Sequence, residues 1–298
     1  MTLKGSKLSK FFEATLTRIS PRLNTEFIHY IMFHRRINLK NPLTLDEKIQ
    51  YLKLHDYLGN KLVTQCADKW AVREYVESCG CSDILNELYG VYDHVEDVPW
   101  GELPQQFVLK WNFGCGQNLI CFDKSTLDIE DAKRKLKEWY KLKDTFYLYY
   151  SEMQYKGIQP KLVCERLIEG DNGGLPNDYK CYCFDGKCDC VLVCSGRDTA
   201  GHSAKYYFFD RDWNLKRYNK AGKEAPEGFT LPKPEGIDKV FEVAEKLTGP
   251  FPFVRADFYI EKGKVIFGEL TFTPCGGFDP NRLPETQLHF GSLVHPRK

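Results

Sequence analysis

The sequence of 298 residues has almost no net charge and no long apolar run. Its 42 Lys and Arg nearly cancel its 41 Asp and Glu, which leaves a formal net charge of +1. This balance gives no global attraction to nucleic acid, so anion binding has to be local. No apolar run reaches the length of a membrane span, and Glu13 and Thr15 interrupt the N-terminal stretch where a secretory signal would be unbroken. We therefore expect a cytoplasmic protein that binds no nucleic acid.

The cysteines do not have the paired C-x-x-C spacing of a zinc ribbon in the one place where they cluster. Five of the twelve lie between Cys181 and Cys194, four of them in a C-x-C-x4-C-x-C pattern. A zinc site is one interpretation. The alternation of period two favours the other, in which buried cysteines share one face of two strands around the turn 185–187. A reducing cytoplasm also disfavours structural disulfides.

The order of the predicted elements indicates an α+β fold. Length suggests about two domains, and strands and helices are mixed without regular βαβ alternation. Helices are predicted at 68–79, 129–139 and 237–247, and another follows the capping box Thr44–Glu47. Strands are predicted at 107–112, 118–122, 162–168, 179–184, 189–195, 206–209, 253–260 and 265–272.

The basic N-terminal region has apolar residues at helical spacing from Leu8 to Ile19. A basic amphipathic helix can lie on a membrane surface. It can instead pack on the domain with its lysines solvated, and this second interpretation is favoured because Lys and Arg normally cover helix surfaces.

A glycine-rich turn follows the predicted strand at 107–112. Lys110 supplies charge, and Gly114 and Gly116 would let backbone N–H groups approach phosphate oxygens. The turn lacks the Lys-Ser/Thr of a P-loop and is followed by a strand, so it is neither a P-loop nor a dinucleotide fingerprint. A plain hairpin with a glycine bulge is the alternative.

The predicted hairpin near the C-terminus has charged residues on both strands. If its loop has an odd number of residues, Arg255, Asp257, Glu269 and Thr271 all point to one face. Two opposed carboxylates repel each other unless a cation lies between them, and hard oxygen ligands suit Mg²⁺. A two-residue loop would place Asp257 and Glu269 on opposite faces, and a simple Arg–carboxylate pair is the alternative.

These segments, in this order, resemble the ATP-grasp superfamily and more narrowly the TupA-like ATP-grasp family of cell-surface polysaccharide gene clusters. The resemblance covers about residues 38 to 290 and implies an ATP-grasp fold of two α+β subdomains that clasp ATP. The implied regions are a helical N-terminal region at 1–64, an N-terminal subdomain at 65–164 and a C-terminal subdomain at 165–298. The segments that carry the resemblance are 41–54, 67–76, 107–110, 178–180, 251–257 and 268–277.

The resemblance also implies ATP and Mg²⁺ as cofactors and a role for each candidate residue. Thr271 stands where ATP-grasp ligases usually have Asn, and a hydroxyl is a weaker metal ligand. The implied nucleotide-binding residues are Lys69 and Lys110 for phosphates, Gly114 and Gly116 above them, Glu165, Arg166, Leu167 and Ile168 for adenine, Asp178 for ribose and Lys180 for phosphate. The other implied roles are Asp257, Glu269 and Thr271 for Mg²⁺, Arg255 with Lys110 for catalysis, Arg197 or Lys205 for the γ-phosphate, and Gly276 and Gly277 for the acceptor.

The implied activity is a carboxylate–amine ligase that forms an amide through an acyl phosphate. A uronic acid on a glycan precursor and an amino acid are the substrates that the family context suggests, and a lipid-linked acceptor would bring the basic N-terminus to the inner face of the membrane. Three alternatives remain: an ATP-grasp-type kinase, a polysaccharide glycosyltransferase, and a zinc or interaction module. The glycosyltransferase would need an Asp-x-Asp metal site, and the one match, Asp210-Arg211-Asp212, is predicted to be a turn.

Overall fold

The computed structural model describes residues 7–170, 174–197 and 204–297. The chain forms two compact units. Unit 1 comprises Met1–Arg36, Tyr57–Tyr75 and Asn86–Leu167, and unit 2 comprises Ile37–Asp56, Val76–Leu85 and Ile168–Lys298. Helices accompany antiparallel sheets in both units, so the α+β prediction is confirmed. Within the described ranges, no helix is long and apolar enough to cross a membrane.

The helices and strands are numbered in chain order. The helices are α1 Lys7–Ile19, α2 Pro21–Phe33, α3 Leu45–Leu54, α4 Lys61–Ala67, α5 Val72–Ser78, α6 Ile129–Tyr140, α7 Phe146–Tyr149, α8 Lys220–Glu224, α9 Ile237–Thr248 and α10 Pro284–Ser292. The strands are β1 Leu88–Tyr92, β2 Phe107–Trp111, β3 Asn118–Cys121, β4 Leu162–Glu165, β5 Asp178–Phe184, β6 Lys187–Ser195, β7 Lys205–Phe209, β8 Leu215–Lys216, β9 Phe253–Glu261 and β10 Lys264–Thr271.

Unit 1 contains an antiparallel sheet with the strand order β1-β4-β2-β3. Strand β2 alternates as its sequence predicts, since Phe107, Leu109 and Trp111 are buried while the residues between them are half-buried. The buried side packs with α6 through Leu136, whose carbonyl accepts a hydrogen bond from the Trp111 indole. The opposite face of β2 therefore carries Lys110 away from this core.

Unit 2 contains a six-stranded antiparallel sheet with the order β10-β9-β5-β6-β7-β8. Helix α9 packs against β5, β6 and β9 through apolar residues such as Val240, Phe241 and Ala244. The clustered cysteines of β5 and β6 are buried and form no disulfide. In the part of the chain that the structure describes, no group of three or more His, Cys, Asp or Glu side chains could hold a metal ion.

Two predicted elements are shorter in the structure than in the sequence pattern by more than one residue. The helix expected at 68–79 begins at Val72, because the Asp68 carboxylate accepts hydrogen bonds from the Trp70 and Ala71 amides and holds a turn there. The strand expected at 162–168 ends at Glu165, since the next amide, that of Arg166, donates instead to the Glu87 carbonyl. The Asp-x-Asp segment is a turn as predicted, with Trp213 following at φ 67°.

Candidate active site

The hairpin of β9 and β10 brings the four predicted charged and polar residues to one face by a route that the sequence did not show. Its loop contains two residues, because Glu261 pairs with Lys264. That loop alone would separate Asp257 from Glu269. A β-bulge at Gly268 shifts the register, so that Glu269 lies directly opposite Asp257.

Glycine is required at this bulge because the backbone of β9 passes close to it. A Cβ at Gly268 would lie 2.9 Å from the Asp257 carbonyl oxygen and 3.3 Å from the Tyr259 ring. The next pair along the ladder is Arg255 opposite Thr271. The bulge therefore places two acidic side chains, one arginine and one hydroxyl on the same face of the sheet.

Strand β5 lies on the other side of β9 and completes a row of charged side chains across the sheet. Lys180 is the partner of Asp257, which is in turn the partner of Glu269. The Lys180 ammonium donates to Asp257 Oδ2 at 2.7 Å and also to Asp178 Oδ2. We call Asp178, Lys180, Arg255, Asp257 and Glu269, together with Thr271, the charged row.

Arg255 fixes the centre of the charged row. Its Nε donates to Asp257 Oδ1 at 2.7 Å, and its Nη2 donates to Oδ2 at 2.6 Å. The same Nη2 donates to Thr271 Oγ1 at 3.2 Å, and that hydroxyl donates to Glu269 Oε1 at 3.2 Å. Arg255 is thus the bidentate partner of Asp257, and it lies 3.8 Å from Glu269 Oε1 as well as being linked to it through the Thr271 hydroxyl.

The two buried aspartates of the charged row have opposite pKa shifts. Burial raises the pKa of Asp178; Lys180 opposes the rise and Asp257 adds to it. Burial also acts to raise the pKa of Asp257, but Arg255 and Lys180 outweigh it and hold this pKa below its usual value. The pKa of Lys180 is raised, because the two carboxylates outweigh the effect of its own burial. Asp257 is therefore held ionised, whereas Asp178 is biased towards its protonated form.

The donor set of the charged row fits a hard cation. Asp257, Glu269 and Thr271 are all oxygen donors on adjacent positions of one face. Asp178 Oδ1 is buried and has no hydrogen-bond partner among the described residues. Lys180 and Arg255 pair with Asp257, and the charge of Arg197 acts on Asp178, so the metal ligands proposed here are the two carboxylates Asp257 and Glu269 with the Thr271 hydroxyl.

Arg197 and Lys205, the two alternatives for the γ-phosphate, have different surroundings in the structure. Arg197 lies near Tyr259, with its guanidinium 6.0 Å from the ring centroid, and its charge acts on Asp178. Lys205 is exposed and pairs with Ser195 on β6. Arg197 is thus the one whose charge reaches the charged row.

In unit 1, the predicted phosphate lysine of β2 is held by the last residue of β4. The Lys110 ammonium lies 2.7 Å from Glu165 Oε2, and Arg73 lies 3.3 Å from the other oxygen. Glu165 is buried, and Arg73 also donates to the Asn86 carbonyl at 2.9 Å. Glu165 therefore serves as the shared carboxylate of two cations, a role that the sequence did not reveal.

The glycine loop is anchored by a buried asparagine at its start. Asn112 Nδ2 donates to Asp68 Oδ2 at 2.9 Å, and its Oδ1 accepts from the Lys161 amide at 2.7 Å. Gly114 and Gly116 both have positive φ, 80° and 74°. The Lys69 ammonium donates to the Gly114 carbonyl, so the two predicted features, lysine and loop, lie together.

The predicted adenine segment, Glu165 to Ile168, has part of its backbone already engaged. The Arg166 amide donates to the Glu87 carbonyl at 3.0 Å, and the Arg166 carbonyl accepts from Asn86 Nδ2 at 2.8 Å. Glu165 itself is paired with both β1 and β2. The Leu167 carbonyl also accepts a hydrogen bond from Arg166 Nη1 at 3.4 Å, so a base bound here would compete with backbone contacts already made by this segment.

Gly276 and Gly277, which the resemblance assigns to the acceptor, also pack closely against their own surroundings. The Gly276 amide donates to the Thr273 carbonyl at 2.8 Å. Gln50 Nε2 donates to both glycine carbonyls, at 2.9 and 3.0 Å, and a Cβ at Gly277 would lie 2.2 Å from that nitrogen. The Gly276 N–H is thus already in use, and Gly277 is required by its contact with α3.

Comparison with known proteins gives one family match and several distant structural similarities. The family model described as TupA-like ATPgrasp matches residues 47–295. No curated protein sequence matches the chain. Among solved structures, the chain is similar to D-alanine–D-alanine ligase from Bacillus anthracis complexed with ATP, with 17% identity, a TM-score of 0.45, and coverage of 74% of this chain and 59% of that one. It is also similar to L-amino acid ligase from Bacillus licheniformis, with 11% identity, a TM-score of 0.45, and coverage of 87% and 55%. The chain thus spans less than two thirds of the length of either enzyme.

Proposed function

The chain belongs to the TupA-like ATP-grasp family, and from that premise we propose that it is an ATP- and Mg²⁺-dependent carboxylate–amine ligase. The observation that best supports this is the charged row, in which Lys180, Asp257 and Glu269 are fixed side by side. Buried charges of both signs in fixed positions suit a reaction in which negative charge moves between phosphate and carboxylate oxygens.

In this proposal Lys69 and Lys110, next to the glycine loop, are cations for phosphate oxygens. Lys69 and Lys110 would each exchange its present partner, the Gly114 carbonyl or the Glu165 carboxylate, for a phosphate oxygen. The amides of the loop around Gly114 and Gly116 would add uncharged donors.

The charged row would supply the metal ligands and a second group of cations. Asp257, Glu269 and Thr271 would hold Mg²⁺, which when bound supplies positive charge to the phosphate oxygens. Arg255 would neutralise the transferring phosphoryl group. Asp178, whose Oδ1 lacks a partner within the described structure, would accept a hydrogen bond from a ribose hydroxyl. Lys180 and Arg197 would contact phosphate.

The proposed reaction has two steps, with ATP as a substrate. A carboxylate oxygen attacks the γ-phosphorus, the bond to ADP breaks, and an acyl phosphate forms. An amine then attacks the acyl carbon, phosphate leaves, and the amine proton is lost to give the amide. Two anions meet in the first step, so Arg255 and Lys110 act by neutralising charge. A uronic acid of a glycan precursor and an amino acid form the proposed substrate pair.

The experiment is a screen of acid–amine pairs scored by phosphate release and by product mass. We expect release only when both an acid and an amine are present. Glu269→Gln should lower the rate by about a hundredfold or more, because it removes a charge from the charged row at a partly exposed position where folding is little affected. Glu242→Gln on the exposed side of α9 is the matched control and should leave the rate unchanged.

Three outcomes would contradict the proposal. Phosphate transfer to a hydroxyl without an amine would identify a kinase instead. Normal turnover by Glu269→Gln would reject the metal assignment. Equal loss of activity in Glu242→Gln would show that the assay reports general damage rather than the charged row.

A further inference from the structure

Helix α1 has its apolar residues on the outside. Leu8, Phe11 and Ile19 are 70%, 68% and 70% exposed. Their spacing, with Phe12 between them, places them on one face of the helix. The buried side is small and polar instead: Ala14 and Thr17 are buried, and the Thr17 hydroxyl donates to the Leu148 carbonyl at 2.6 Å.

Helix α2 repeats this inverted arrangement. Its exposed large side chains are Leu23, Tyr30 and Ile31, whereas Asn24 is fully buried and donates to the Tyr149 carbonyl at 3.0 Å. The Phe12 and Phe27 rings, 5.1 Å apart, link the two helices. We define the N-terminal apolar surface by its members, which are seven of the thirteen exposed large apolar side chains in the described ranges: Leu8, Phe11, Phe12, Ile19, Leu23, Tyr30 and Ile31.

Positive charge is concentrated in the same segment. Residues 1–36 contain seven Lys and Arg against two Glu, a net charge of +5, although the whole chain has only +1. Residues 37–298 therefore carry −4. Lys10, Arg18 and Arg22 are exposed on the two helices that present the N-terminal apolar surface. The lysines at 4 and 7 contribute to this count, but the side chain of neither lies within the described part of the structure.

We propose that the N-terminal apolar surface docks on an anionic lipid membrane. Apolar side chains next to basic ones are what an interfacial helix needs, since the first enter the acyl boundary and the second meet the headgroups. A second copy of this chain is a poorer occupant, because it would bring two segments of charge +5 together. The surface precedes residues 47–295, the range of the family match, and it does not depend on the ligase chemistry.

The experiment is co-sedimentation of the full chain with vesicles of phosphatidylcholine containing roughly one quarter phosphatidylglycerol, without nucleotide. Wild-type protein should bind these vesicles and lose binding as salt is raised. Leu8→Ser combined with Phe11→Ser should weaken binding at least tenfold. Arg18→Gln combined with Arg22→Gln should weaken it by roughly fivefold per charge.

Matched controls come from other exposed positions. Leu288→Ser, at a site that is 53% exposed on α10, should leave binding unchanged, as should Lys239→Gln on α9. The proposal fails if wild-type protein does not bind, if pure phosphatidylcholine binds it equally well, or if the controls weaken binding as much as the N-terminal variants. It also fails if wild-type protein is a dimer that does not bind vesicles and the N-terminal variants are monomers. The surface would then be an interface between two copies of the chain.

Discussion

The bulge at Gly268 gives a prediction in which deleting a residue is better tolerated than replacing it. Gly268 is the extra residue between Phe267, which pairs with Phe258, and Glu269, which pairs with Asp257. A side chain at Gly268 meets the Asp257 carbonyl at 2.9 Å, and that backbone atom cannot move aside as a flexible side chain could. Gly268→Val therefore has to distort the ladder or abolish the bulge.

Distortion of the ladder and loss of the bulge both destabilise the fold, and loss of the bulge also moves Glu269 out of the charged row. Overpacking of this kind costs about 1–3 kcal/mol. If the bulge is lost instead, position 268 pairs with Asp257, and Glu269 moves opposite Ala256, which turns its side chain to the other face. Deleting Gly268 has a different result, because Glu269 then follows Phe267 directly and still pairs with Asp257.

Urea unfolding and calorimetric ATP binding measure the two effects. We expect Gly268→Val to lower the free energy of unfolding by about 1–3 kcal/mol and to abolish Mg²⁺-dependent ATP binding, and the deletion to retain binding. Gly101→Val is the control, since a Cβ there meets nothing within 4 Å. A valine variant as stable as wild type, or a deletion that binds worse than the valine variant, would refute the role given to the bulge.

Three further predictions concern buried polar groups. Lys180→Met leaves two buried carboxylates without their shared cation and should cost about 3–5 kcal/mol of unfolding free energy; adding Asp178→Asn should recover part of it, and a purely additive double variant would contradict the coupling. Asn112→Ala removes the hydrogen bonds at the start of the glycine loop and should cost about 1–3 kcal/mol with weaker ATP binding; unchanged ATP affinity would separate Asn112 from the loop. Burial raises the pKa of Asp46 to about 6, against the opposing charge of Arg282. The folded state therefore holds a proton that the unfolded state releases, and stability should fall as the pH rises from about 4 to about 6. In Asp46→Asn this fall should be absent from urea titrations.

Local pattern was enough to predict most of the described strands, but it missed short helices such as α4, α7 and α8, and it did not give the register of the hairpin that carries the site. The alternation of β2 and a turn at Gly186 are local properties, and the structure confirms both, although Lys187, predicted in the turn, is the first residue of β6. The parity of the β9–β10 pairing depends on Gly268, whose close approach to the Asp257 carbonyl is a contact between strands. A two-residue loop with a bulge and a loop of odd length without a bulge place the same side chains on each face of the hairpin. The sequence alone could therefore not choose between them.

The candidate residues were found from the sequence, whereas their present partners were not. Lys110 was identifiable from its place before the glycine loop, but nothing local indicates that Glu165, far along the chain, holds it at 2.7 Å. Arg73 and Asn112 were missed for the same reason, since their roles arise from contacts across unit 1. An Asn between an apolar strand and a glycine loop is a sequence signal that could have identified Asn112.

The same partners bear on how nucleotide and metal should bind. Lys110 forms an ion pair with Glu165, and Lys180 forms ion pairs with Asp178 and Asp257. Arg255 forms a bidentate pair with Asp257. A triphosphate that recruits Lys180 and Arg255 removes two hydrogen-bonded cations from a buried Asp257, which is costly unless another cation replaces them. ATP and Mg²⁺ should therefore each raise the affinity for the other, by about 1–3 kcal/mol. In Asp257→Asn the abandoned side chain is neutral, so the ATP affinity measured with and without Mg²⁺ should converge. Independent binding of the two ligands to wild-type protein would mean that Asp257 keeps its arginine and lysine when the nucleotide is bound.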